Sequence, residues 1–227
     1  MLMHNRFGVM VEDVRAMIEA PSHFYSQTSQ DLFALGLNNY KKNGTWLDIG
    51  CSCPREANNT YLLEKYGWSG INIDIREFEN LWAKERKTPF IPNNALDIDY
   101  KSLLSQYYKT TTIDYLSLDI DDASFKVLKM LPLDLYKFNF ITIEHDIYDV
   151  YPKNKDRKEE QKHYLINNGY TLLIENLSYK DSAIRPYEDW FVSAEIAEKL
   201  PIRLANILHT DALSVFNFKN RDEVLNG

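Results

Sequence analysis

Short, almost continuous apolar runs alternate along this chain with stretches whose apolar residues recur at three- and four-residue intervals. That is the pattern of strands buried on both faces and separated by amphipathic helices. Phe7, Met10, Val11, Val14, Met17 and Ile18 predict an opening helix over residues 6–19 that ends before Pro21 and could cover a site. Leu32-Phe-Ala-Leu-Gly-Leu37 predicts a second, short helix with Asp31 near its start. Asn43-Gly44 turns into a first strand, Trp46-Leu-Asp-Ile-Gly50, and residues 59–67 read as a helix closed by Gly67. Gly70-Ile-Asn-Ile-Asp74 is a second strand, completing a βαβ unit. Helical composition over 77–87 is followed by an extended Pro89-Phe-Ile-Pro92 and a loop at Asn93-Asn-Ala-Leu-Asp97. Ile113-Asp-Tyr-Leu-Ser-Leu-Asp119 is a strand, and the helix after it is stopped by Pro132. Phe138-Asn-Phe-Ile-Thr-Ile-Glu144 has the character of a central strand. A charged helix from Pro152 to Asn168-Gly169 leads into a strand at Tyr170-Thr-Leu-Leu-Ile-Glu175. The fold class that follows is α/β: a doubly wound, mostly parallel sheet, with sites at the carboxyl ends of its strands.

Two of those strands end in acids. A buried strand ending in Asp48-Ile-Gly50 turns tightly, so backbone donors and the Asp48 carboxylate face a ligand above the sheet edge. Asp74 ends the next strand, where an acid suits the vicinal hydroxyls of a ribose. Each could instead be a strand-end acid capping a turn, but the pair points to a nucleoside-containing cofactor.

At 227 residues and 44% hydrophobic content, one domain spanning 1–227 is expected, with a helical segment over 1–40, a core over 44–195 and a strand and helix segment over 196–227. The net charge of −7 argues against a nucleic-acid partner, and no apolar run approaches a membrane span. The N-terminus lacks the order of a signal peptide, and a cytoplasmic location is expected. Cys51 and Cys53, separated by one residue, are too close for a useful disulfide and too few for zinc, which fits a reducing compartment.

Taken in order, several segments resemble the FkbM family of S-adenosylmethionine-dependent methyltransferases, from about Ser26 to about Val192. They are Ser26-Gln-Thr-Ser-Gln-Asp31, Leu47-Asp-Ile-Gly50, Asn59-Thr-Tyr-Leu-Leu-Glu64 with Gly67-Trp-Ser-Gly-Ile71, and Asp74. Ile113 to Asp119 with Val127-Leu128, Ile141-Thr-Ile-Glu144-His145 and Tyr187-Glu-Asp-Trp-Phe-Val192 complete the series. The resemblance implies a seven-stranded Rossmann-like class I sheet and methyl transfer from S-adenosylmethionine to a hydroxyl, on a sugar or glycan. It implies cofactor contacts from Asp48, Gly50, Cys51, Ser52, Asp74, Ile75, Asn94, Ala95 and Asp119. Three stretches depart from the family pattern: Cys51-Ser-Cys-Pro54 in place of a glycine-containing turn, Asp121-Asp122-Ala-Ser124 in place of Glu-Gly, and the charged run from Lys153 to Lys162.

Oxygen methylation needs the acceptor hydroxyl deprotonated as it attacks, so a base or metal is required nearby. Asp119, Glu144 and His145 are the catalytic candidates, with His145 as base. Asp119, Glu144 and Asp146 could hold Mg²⁺ or Mn²⁺. Three alternatives stay open: another small-molecule acceptor such as a polyketide-type product, a non-catalytic domain on the same fold, and a nicotinamide enzyme, which the missing G-x-G-x-x-G disfavours.

Overall fold

The computed structural model describes residues 25–145, 152–178, 186–200, 203–205, 212, 215–219 and 221–226. The helix expected over 6–19 lies outside them, as does Asp146. Among the described residues, eight strands form one sheet in the order β3-β2-β1-β4-β5-β7-β6-β8. They are β1 Thr45–Ile49, β2 Ser69–Asp74, β3 Phe90–Pro92, β4 Thr112–Leu118, β5 Lys137–Glu144, β6 Tyr170–Ser178, β7 Pro186–Ser193 and the two-residue β8 Leu204–Ala205. β7 runs antiparallel to β5 and β6, and the other pairings are parallel. The expected seven-stranded, mostly parallel sheet is therefore present, with β8 added beyond β6. Strand order reverses about β1 and β4, and such a switch point opens a crevice at the carboxyl ends.

The helices among the described residues are α1 Gln30–Leu37, α2 Tyr61–Tyr66, α3 Glu79–Glu85, α4 Tyr100–Tyr107, α5 Ser124–Met130, α6 Pro152–Asn167, α7 Ala194–Lys199 and α8 Arg221–Asn226. α1 starts one residue before Asp31, whose carboxylate accepts from Ser26 Oγ at 2.5 Å and from the first-turn Leu32 N at 2.8 Å. α4 was not anticipated. Its signal is a cap: the Asp99 side chain accepts from Ser102 N at 3.1 Å, and Tyr100 and Leu104 follow at helical spacing into the core.

Side-chain alternation along the central strands builds two cores. Leu47, Ile49, Leu116, Ile141 and Phe191 pack with α4, α5 and α6 residues such as Leu104, Leu128 and Leu165. Trp46, Tyr115, Phe140 and Trp190 pack on the other face with Phe33 of α1 and Leu62 of α2. This second face is aromatic: Phe33 meets Trp190 edge-on at 4.5 Å, and Tyr115 stacks on Phe140 at 5.2 Å. Asp48 shares the Trp46 side of β1, which aims its carboxylate toward the start of α2.

Candidate cofactor site

The crevice at the carboxyl ends of β1, β2, β4 and β5 holds a cavity of about 580 Å³, large enough for a nucleoside-sized ligand. Its wall includes Asp48, Gly50, Cys51, Ser52, Asp74, Ile75, Asn94, Ala95, Asp119 and Glu144. The structure thus brings together every residue expected at the cofactor, and two of the three catalytic candidates.

Gly50 leaves β1 with φ +88°, and a Cβ there would stand 1.8 Å from the Asp119 carbonyl oxygen, so neither the turn nor the contact with β4 admits a side chain. Ser52 also takes the left-handed conformation, φ 54°, and it is not glycine. The loop is held from outside. Asn58 Nδ2 donates to the carbonyls of Cys51 and Cys53, each at 2.9 Å. This is how Cys51-Ser-Cys-Pro54 makes the turn without the family's additional glycine. Asn58→Ala leaves both carbonyls short of a donor and should cost about 1–3 kcal/mol, read as a lower unfolding midpoint.

Asp48 is 1% exposed and accepts from Thr60 Oγ1 at 3.1 Å. Burial pushes its carboxyl up to about 7, against the hydrogen bonds and the Arg86 charge that favour ionisation. Asp74 sits in the opposite regime. Burial raises it, but the hydrogen bonds and charge of Arg76 outweigh that and hold it below the ordinary carboxylate value. Its carboxylate also accepts from Ser52 N at 2.8 Å. Ile75, 69% exposed, presents an apolar face beside it, and Asn94 caps the 3₁₀ turn Ala95–Asp97 through Leu96 N.

Burial pushes the Cys51 thiol well up, with the Asp48 charge adding to it, so it stays protonated and is no nucleophile. Both cysteines are free and buried.

His145 is not among the residues that line the cavity. Glu144 lines the cavity, and the next side chain along an extended chain turns the other way. His145 is buried, its N–H donates to the Tyr187 carbonyl at 2.8 Å, and its Nε2 lies 3.4 Å from Asp189. Asp189 is shared with Lys158 of α6 at 3.5 Å, so the histidine packs beside a buried ion pair between α6 and β7. The expected metal set Asp119, Glu144 and Asp146 gains no support. Asp146 is outside the described residues, and among the described residues no three His, Cys, Asp or Glu side chains are grouped to hold an ion.

Two residues in this region were not singled out from sequence. Asn59 lines the cavity, is 8% exposed, and donates to Ser117 Oγ at 3.0 Å, while its Oδ1 has no hydrogen-bond partner among the described residues. Glu188 is the cross-strand partner of Glu144 and accepts from Gln30 Nε2 at 3.1 Å. Burial first, and the Asp119 charge with it, push Glu188 up to about 7. Asn59 was quoted only within a helix start and Glu188 only within a terminal signature. Neither residue type signals chemistry by itself.

No family model matches the chain, and no curated protein matches it. Solved structures do. A TehB-like S-adenosylmethionine-dependent methyltransferase from Corynebacterium glutamicum is 10% identical with a TM-score of 0.50, covering 80% of this chain and 94% of its own. An rRNA methylase from Streptococcus thermophilus is 17% identical with a TM-score of 0.45, covering 78% and 98%. The chain has the class I methyltransferase fold; membership of FkbM in particular is not established by these likenesses. The exclusion of nucleic acid drawn from the net charge of −7 does not stand. The physical reason is that a chain's total charge does not set the field at one cleft. Among the described residues no helix is long and apolar enough to cross a membrane.

Proposed function

We propose that the chain binds S-adenosylmethionine in this cavity and transfers its methyl group to an acceptor hydroxyl. The observation that carries the reading is the pairing of two differently tuned acids, Asp48 and Asp74, with the unpartnered, buried Asn59 Oδ1 in one wall of the cleft. A buried acceptor without a donor calls for a ligand that donates, and the α-ammonium of an amino acid does so. Asp48 and Asn59 hold that end, Asp74 meets the ribose hydroxyls, and Ile75 with Ala95 flanks the base. S-Adenosylmethionine supplies the electrophilic methyl on its sulfonium. Asp119 and Glu144, at the β4 and β5 ends, orient the acceptor and take its proton. A sugar or glycan as acceptor rests on the sequence resemblance to FkbM, and no step here requires a metal.

Calorimetry with S-adenosylhomocysteine tests the first half: the wild type should bind, and Asn59→Ala should bind roughly tenfold more weakly. Absence of binding by the folded wild type would refute the cofactor assignment. Release of S-adenosylhomocysteine with sugars, glycans and RNA as acceptors tests the second. Turnover on RNA alone would overturn the sugar reading.

A further inference from the structure

The Asp74 carboxylate has no lone pair left for a ribose. Oδ1 accepts from Arg76 N at 2.9 Å and Arg76 Nε at 2.8 Å; Oδ2 accepts from Arg76 Nη2 and Ser52 N, both at 2.8 Å. An ionised carboxylate offers about four such positions, and all are filled. Two of the donors are backbone groups of the loop and the strand end. The other two are the parallel N–H groups of one guanidinium, the bidentate pattern that two vicinal hydroxyls would also present. The two partners differ in freedom. The Asp74 side chain is 3% exposed, whereas that of Arg76 is 50% exposed at the mouth of the cavity, so the arginine is the partner able to leave. Phe78, whose ring lies 5.4 Å from the guanidinium carbon, gives it a surface to rest against.

We propose that Arg76 is an internal competitor for the ribose position: its guanidinium closes over Asp74 in the ligand-free protein and is displaced by the cofactor's diol, so this residue sets cofactor affinity and its dependence on salt. The inference rests on the cofactor reading above and deepens it. Displacement exchanges an ion pair for two neutral hydroxyl donors. The cost of exchange therefore falls as salt screens the half-exposed pair, and it disappears when the guanidinium is removed. The ribose also has to present both hydroxyls to replace both guanidinium bonds, which biases the site against deoxyribose ligands.

The test is calorimetric titration of S-adenosylhomocysteine into wild type, Arg76→Ala and Arg76→Lys, each shown folded by circular dichroism, at low and high ionic strength. Arg76→Ala should bind about tenfold more tightly than wild type at low salt, a difference of about 1.4 kcal/mol. Arg76→Lys, with a point charge in place of the fork, should fall between them. Wild-type affinity should strengthen with salt, and that of Arg76→Ala should be nearly flat. Weaker or unchanged binding by Arg76→Ala, beside a wild type that binds, would overturn the competitor role and leave the cofactor reading standing. A wild type and variants that are all folded and all silent would overturn both.

Discussion

Replacing Arg86 with methionine should lower stability by about 3–5 kcal/mol, or roughly 6–20 °C in unfolding midpoint for a chain of this size, although the residue does not line the cavity. Arg86 follows α3, and its side chain is fully buried. Its Nε donates to Glu64 at 2.7 Å, Nη1 to the Pro54 carbonyl at 2.9 Å and Asn58 Oδ1 at 3.0 Å, and Nη2 to Thr60 Oγ1 at 3.1 Å. The Trp82 ring lies 4.7 Å from the guanidinium. Methionine keeps the bulk and removes the charge, which isolates the polar loss from a packing loss. Glu64 is then left without the cation that, against burial, holds its carboxyl below the ordinary value. Glu64→Gln in the same protein should recover part of the loss, because the penalty lies in an uncompensated acid, and the double-mutant cycle measures how much. Binding should weaken in parallel. Pro54 and Asn58 carry the loop through Cys51–Cys53, and Thr60 carries Asp48, so the arginine positions two walls of the cavity at once. A midpoint within about 2 °C of wild type would mean that the network contributes little.

Arg86 also shows where sequence reading stops. The strands and the acids ending them were legible because a parallel sheet needs both faces apolar, and an acid that interrupts that rule at a strand end stands out. The Asp-x-Gly turn was legible for the same kind of reason: only glycine fits where φ is +88° and the Asp119 carbonyl blocks a Cβ. Arg86 gave no such signal. It lies in Lys84-Glu-Arg-Lys87, which reads as a solvated helix end, and only the return of the chain beneath α2 turns one of those four charges inward. Adjacency in sequence misled in the opposite way: neighbours on an extended chain point apart, so Glu144 lines the cavity while His145 is buried beside Tyr187 and Asp189. Glu188 entered the neighbourhood of Glu144 from an antiparallel strand 44 positions later, through a register that sequence alone does not fix.

The apo protein should become more stable, and bind cofactor far less well, when Asp48 is changed to asparagine. Burial raises this carboxyl from 3.8 to about 7. Between those values the folded protein holds a proton that the unfolded chain has released, so stability falls as pH rises through the window and is level above it. The accumulated cost of ionising Asp48 is roughly 4 kcal/mol at pH 8. Glu188, also raised to about 7, adds a second contribution in the same window. Asp74 and Glu64 act in the other direction and elsewhere: their folded values are lowered, so what they contribute is lost only as pH falls below the ordinary carboxylate range. Denaturant titrations from pH 4 to pH 8 should therefore show a fall in wild-type stability that Asp48→Asn makes shallower and Asp48→Asn with Glu188→Gln nearly removes. Ligand binding should mirror it. The ammonium of S-adenosylhomocysteine favours the ionised Asp48, so wild-type affinity should rise with pH up to about 7 and level off, with proton release that makes the heat depend on the buffer. Asp48→Asn should lose that pH dependence together with most of the affinity. If the variant is less stable than wild type at pH 8 and binds as well, Asp48 is a structural acid and not the group that meets the cofactor's amino acid end.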